Sequence, residues 1–368
     1  MNQPDDLIAT LADIDPDSEL AHARQTRHAA TQHAQNSYTL LFSQGDEDFP
    51  LAERRLLAAQ VAGWHAQPGL QAHYQPQESL AGSDRINAAQ AFAHRLTFEP
   101  VTAAPAHLEA LKQAGWSLRG IVTLAQLVAF VSFQSRLLAG LRSLQGDEAP
   151  DEIAPVVAGH WHEALHTASG KTALTAFTQQ ELGWEPWLPA KPLTEFSEEE
   201  QATLAKFGHT DSDYFRLLAR NLPLLEQRTL TDKGIFYTAG GLPRAERELA
   251  ATVVSKVNGC IYCASVHARK ASQLSKQDEA VQKLLNVAPG AVLSHGHAAR
   301  WQAIIAFSAA LSLTPAQPTQ SQLSALREQG LDTLALLDLI QSTAFFAWAN
   351  RLMLTLGEPF LPEKQGKS

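Results

Sequence analysis

LEALKQAGWSLRGIVTLAQLVAFVSFQSRLLAGLR, residues 108–142, decides the fold class. Its apolar residues recur every three to four positions, the period of a helix. Residues 244–257 (RAERELAATVVSKV) and 323–356 keep the same rhythm. No region shows successive period-2 runs joined by hairpin turns, and no strand–helix alternation occurs. The chain therefore reads as all-α.

The same stretch exposes an internal repeat. Laid on 323–357 without a gap, Leu108, Ala110, Leu111, Gly115, Leu124, Gln126, Ala129, Phe130, Arg136, Leu137 and Leu141 meet identical residues. Eleven identities in 35 positions exceed the roughly two or three expected from composition, so the match marks a repeated unit. Phe133 falls on Trp348. FPLAERRLLAA (49–59) also resembles LPRAERELAAT (242–252), but at another offset. The second copy thus carries about 22 extra residues between the two matches. This predicts two tandem helical domains packed as a pseudo-dimer, roughly 1–185 and 186–368. The join is expected near GWEPWLPAKPLTEFSEEE (183–200), whose prolines resist helix.

The length of 368 residues suits two domains at roughly 100–200 residues each. With 45% apolar and 18% charged residues, the chain can bury a sizeable core. A net charge of −9 argues against nucleic acid or an anionic membrane as partner. The start, MNQPDDLIATLADIDPD, lacks the basic-then-apolar pattern of a leader. The apolar run Gly120–Phe133 is interrupted by Thr123, Gln126 and Ser132, too short and polar to span a bilayer. A soluble cytoplasmic protein is the expectation. The only two cysteines, Cys260 and Cys263, exclude a disulfide-stapled scaffold.

Those cysteines lie in GLPRAERELAATVVSKVNGCIYCASVHARKA, residues 241–271. Asn258-Gly259 ends one helix and starts the next. Cys260 opens the new helix, Cys263 follows at i+3, and His267 lies four further on. At helical spacing the three fall in one stripe. A helix N-terminus favours a thiolate, a histidine one turn along can move its proton, and two cysteines at i, i+3 can close a disulfide. The competing readings are a buried core pair and a structural zinc site. Zinc sites draw ligands in two clusters, and no second cluster is visible. A thioredoxin-like reading lacks its βαβ surroundings.

The pattern Glu248-x11-Cys260-x2-Cys263-x3-His267 resembles the active-site motif of AhpD-like alkylhydroperoxidases, in the carboxymuconolactone decarboxylase superfamily. Residues 236–270 look like its peroxidase-related branch, and the likeness is strongest over 205–355. The resemblance implies an all-helical fold, self-association and a peroxide-reducing dithiol. It implies that Cys263 attacks the peroxide, Cys260 resolves, and Glu248 and His267 relay the proton. The residues themselves leave the order open: the helix start favours Cys260 as the lower-pKa thiol, whereas His267 at i+4 favours Cys263. Tyr262 stands where AhpD has a histidine, and a phenol titrating near 10 is a poor shuttle. Glu246 rivals Glu248, but Glu246 falls on Glu53 of the first copy, which marks it as structural. On the first copy Glu248 falls on Arg55, the cysteines on Gln67 and Leu70, and His267 on Tyr74. That copy is expected to be non-catalytic.

His162-Glu163-Ala164-Leu165-His166 matches H-E-x-x-H, which on a helix sets two histidines on one side for zinc. Its flanks read better as a plain polar helix near the join. His295-Gly296-His297 reads as a surface loop. The shared Gln126/Gln341 and Arg136/Arg351 read as packing groups. The function expected is a thiol-dependent peroxidase acting on small organic hydroperoxides and recycled by an external dithiol, with no metal and no organic cofactor. The alternatives are a non-catalytic redox sensor or scaffold, and a decarboxylase- or isomerase-like relative.

Overall fold

The structure, a computed structural model, describes residues 5–77, 79–80, 82–147, 150 and 152–363. The principal helices are α1 (His28–Phe42), α2 (Leu51–Trp64), α3 (Pro68–Tyr74), α4 (Asp84–Phe98) and α5 (Leu118–Leu144) in the first half. The second half has α6 (Leu222–Phe236), α7 (Arg244–Asn258), α8 (Ile261–Ser275), α9 (Ala299–Leu311) and α10 (Thr333–Leu356). The fold is all-α. Among the described residues the one sheet is a two-stranded antiparallel ribbon, β1 (Gly183–Pro186) against β2 (Gly357–Phe360).

Helices α5 and α10, the two copies of the opening repeat, form the central pair. Ser117 caps the first through Gly120 N–H, and Asp332 caps the second through Ala335 N–H. Both are buried on nearly every side, so their apolar periodicity shows no polar face. Phe130 meets Trp348 edge-on with centroids 5.2 Å apart, and Phe133 meets Phe345 at 6.5 Å. By length and composition α5 could cross a membrane, longer and more apolar than the 120–133 run suggested. Its apolar window is entirely buried within the protein.

The repeat is visible in side-chain roles. Arg54 of α2 donates from Nε to the Phe49 carbonyl, and Arg247 of α7 donates to the Leu242 carbonyl, both at 2.8 Å. Glu53 pairs with Arg85 of α4, as Glu246 pairs with Arg300 of α9. Arg136 and Arg351 each donate back to the carbonyl one turn earlier. The symmetry breaks where composition breaks it. Trp348 donates to Gln126 Oε1 at 2.8 Å, but Gln341 faces a copy that has Phe133, and its Oε1 has no hydrogen-bond partner.

The two halves share one continuous core. Asp338 of α10 receives Arg27 from the first half at 2.7 Å, Arg247 at 3.2 Å and Leu242 N–H at 2.9 Å. Helix α1 lies on α6 so closely that a Cβ on Gly234 would stand 2.6 Å from Ala30 N. The stretch before the expected join packs against the second half. Val157 bridges to Val292, Gly159 N–H reaches Lys256 O, and Arg269 holds the Gln179 and Gln180 carbonyls. Lys256 anchors this strap from below. It donates to the Leu285 and Val287 carbonyls and lies 4.1 Å from the Phe177 ring centroid, and burial lowers its pKa to about 8.

His162–His166 is not helical, contrary to expectation. It runs as irregular chain within the strap, tied by a bridge from His166 to Thr172. Backbone pairing takes the chain elsewhere: Gly159 N–H reaches the Lys256 carbonyl just before it, and the Leu165 carbonyl accepts from Ala173 N–H. No cluster of three or more potential metal ligands occurs among the described residues. The 22-residue surplus of the second copy also has a location. Helix α8 has 15 residues where α3 has 7, and a further helix, Asp278–Leu285, follows.

Candidate active site

The turn between α7 and α8 sets the site. Gly259 closes α7 in the left-handed conformation (φ 74°), and Cys260 N–H returns to the Ser255 carbonyl at 2.8 Å. A Cβ at Gly259 would stand 2.0 Å from the His160 carbonyl of the strap. Glycine is therefore demanded twice, by its φ and by the backbone lying on it. Gly259→Ala is expected to cost on the order of 3 kcal/mol and to loosen both cysteines. Denaturant unfolding and thiol-labelling rates check this; unchanged values would contradict it.

Cys260 is the N-cap of α8 and Cys263 lies in its first turn. Both are buried free thiols with sulfurs 3.3 Å apart, close enough for an S–H···S contact and for disulfide closure after a small shift. Burial pushes the Cys260 thiol well up, and the adjoining Cys263 sulfur pushes it further; the Cys263 backbone N–H opposes this. At Cys260 the helix start and burial therefore act in opposite directions.

His267 projects from the next turn of α8. Its Nδ1 lies 2.5 Å from Glu248 Oε2 on α7. Glu248 is 1% exposed and also accepts from Arg244 Nε at 3.3 Å. Burial alone would raise the Glu248 carboxyl. His267, Lys270 and Arg244 outweigh it and hold the group below the usual carboxylate range. The Phe346 ring stands edge-on to His267 at 4.2 Å and fixes its plane. Glu246 points elsewhere, to Arg300.

Two residues of this site carried no motif. Asp232 of α6 is half-buried, and desolvation raises its pKa against the pull of Arg228 and His267, with Glu248 adding to the rise. Arg228, one turn earlier, is buried and lies over the Phe345 ring at 5.2 Å. Their i, i+4 spacing was the available signal, but only the packing of α6 brings them to the cysteine helix.

In the first copy the corresponding place is filled. Gln67 caps α3 as Cys260 caps α8. Leu70 and Tyr74 are buried, and Tyr74 Oη donates to Gln134 Oε1 at 2.5 Å. Arg55 reaches the His73 carbonyl at 3.4 Å.

A cleft lies beside the pair, and Cys260 is among the residues that line it. The strap, the ribbon and α10 wall it, and His162 and His166 lie in its wall.

Residues 223–312 match the profile of the carboxymuconolactone decarboxylase family. The match lies wholly within the second half. Asp232, Glu248, Cys260, Cys263 and His267 all fall inside the carboxymuconolactone decarboxylase segment, whereas the strap, the ribbon and α10 fall outside it. No curated protein matches the chain. Among solved structures, an uncharacterized peroxidase-related protein from Silicibacter sp. TM1040 is similar at 23% identity. It covers 46% of this chain and 91% of its own, with a TM-score of 0.38. An uncharacterized peroxidase-related protein from Ralstonia eutropha JMP134, described as an alkylhydroperoxidase AhpD core, is similar at 20% identity. It covers 45% of this chain and 86% of its own, with a TM-score of 0.37.

Proposed function

We propose that the chain is a thiol peroxidase that reduces organic hydroperoxides at the Cys260–Cys263 pair. The observation that carries this reading is the convergence of two sulfurs 3.3 Å apart with a buried carboxylate–imidazole pair one helical turn away.

The steps follow from the groups present. Cys263 gives its proton to the relay of His267 and Glu248 and attacks the terminal oxygen of ROOH. An S–O bond forms, the O–O bond breaks, and the departing alkoxide takes the proton back from His267 to leave as ROH. Cys263 is then a sulfenic acid. The Cys260 sulfur attacks it, the S–S bond forms, and hydroxide leaves with the Cys260 proton as water. The peroxide gains two electrons and the dithiol loses two. Cys260 suits the second role because burial keeps it a thiol until its partner is electrophilic. Ionised Glu248 holds the imidazole in place and balances its charge when protonated.

The first copy acts as a structural partner for the catalytic half. A cytoplasmic setting, self-association and recycling by an external thiol belong to the same reading. A stoichiometry tests it: each hydroperoxide consumed removes two thiols from one chain and yields one alcohol. Thiols that persist in excess hydroperoxide contradict it.

A further inference from the structure

The cleft over Cys260 is not needed for the oxidation step just described, which uses the His267 face of Cys263. Its wall is built largely by chain outside the matched family segment. Trp184 and Trp187 of the ribbon region and Met353 and Leu354 of α10 are among its lining residues. Both indoles are fastened, Trp184 Nε1 to the Met353 carbonyl at 3.2 Å and Trp187 Nε1 to Glu358. The site is therefore preformed and mostly apolar. Of the two cysteines, Cys260 is among its lining residues and Cys263 is not.

Disulfide exchange gives this asymmetry a meaning. An incoming thiolate attacks the sulfur it can reach, and the other sulfur departs. From the cleft the adjoining cysteine is Cys260. The departing Cys263 sulfur is the one His267 follows by a turn, so its negative charge is received on the relay side.

We propose that this cleft binds the recycling reductant, a small thiol with an uncharged aryl or alkyl body, and delivers it to Cys260. The proposal rests on the dithiol forming a disulfide. The thiol passes its proton to an imidazole of the cleft wall, His162 or His166, and its sulfur attacks Cys260. A mixed disulfide forms, the Cys260–Cys263 bond breaks, and the electron pair stays on Cys263, which is reprotonated through His267. A second thiol displaces Cys260 from the mixed disulfide, so two RSH become RSSR and the dithiol is restored. The two histidines of the H-E-x-x-H stretch thereby acquire a role without a metal. Peroxide and reductant use opposite faces of one cysteine pair.

The test separates the half-reactions. Oxidised protein is mixed with benzyl mercaptan or glutathione, and the return of protein thiols is timed. Benzyl mercaptan is expected to be at least about tenfold faster per thiolate present. Ala173→Phe and Ala164→Phe, which fill the cleft from the strap, are expected to remove that advantage. Both should leave the rate of oxidation by cumene hydroperoxide unchanged, which also shows that the variants are folded. Slowed oxidation with normal reduction would assign the cleft to the peroxide and overturn the proposal. Equal rates for the two thiols, insensitive to both variants, would overturn it as well. If hydroperoxide fails to oxidise the protein, the peroxidase reading falls by itself. The disulfide is then made with diamide, and the same reduction assay still decides the cleft.

Discussion

Replacing Cys263 with serine is expected to reduce hydroperoxide turnover at least about a thousandfold, because a serine hydroxyl does not supply a thiolate. Cys260→Ser is expected to behave differently. Its first oxidation should proceed, since Cys263 and the relay are intact, but the product should stop at the sulfenic acid and lose a single thiol. Dimedone labelling followed by peptide mapping distinguishes the two. Label on Cys263 in Cys260→Ser fits the order argued above. Label on Cys260 in Cys263→Ser, with Cys260→Ser unreactive, would reverse it. Both substitutions are near-isosteric at buried positions, so each is expected to lose only about 1–3 kcal/mol of stability.

Glu248→Gln is the second large effect. The amide keeps the shape but removes the charge that meets His267, and the oxidation rate is expected to fall about a hundredfold. The sign of the pH dependence follows from the direction of the Glu248 shift. Its carboxyl is held below the usual range in the folded protein, against a reference of 4.5. Ionised Glu248 therefore stabilises the fold fully above the unfolded value. That contribution is lost as pH falls through the lowered folded value. In Glu248→Gln this part of the acid sensitivity should disappear, while stability near neutral pH drops. Denaturant unfolding at several pH values reads both. A variant with unchanged rate and unchanged acid slope would remove Glu248 from the relay.

The repeat of 108–142 at 323–357 was legible because buried helix pairs constrain residue identity along their whole length. It located α5 and α10, the two helices at the centre of the core. The equivalence of Arg54 with Arg247, and of Glu53 with Glu246, also follows from sequence, since each pair serves its own helix start. Helix α7, the Gly259 break and the start of α8 could be read for a similar reason: their signals are local. What lies between distant segments could not be read. Asp232 enters the site only because α6 packs beside α7 and α8. The His162–His166 spacing fits a helix, yet strap pairing takes the backbone elsewhere. Trp184 and Trp187 stood out in sequence only as residues beside prolines, and their place in the cleft depends on a ribbon closed with residues 357–360. The burial that opposes the helix end at Cys260 likewise depends on distant packing.

The central claim is a redox dithiol, and the intact mass of the chain tests it most directly. Fully reduced protein receives one equivalent of cumene hydroperoxide and is followed over seconds to minutes. The account predicts a mass about 2 Da lower, loss of both thiols together, and a Cys260–Cys263 cross-link in the peptide map. An unchanged mass with both thiols still free would contradict it.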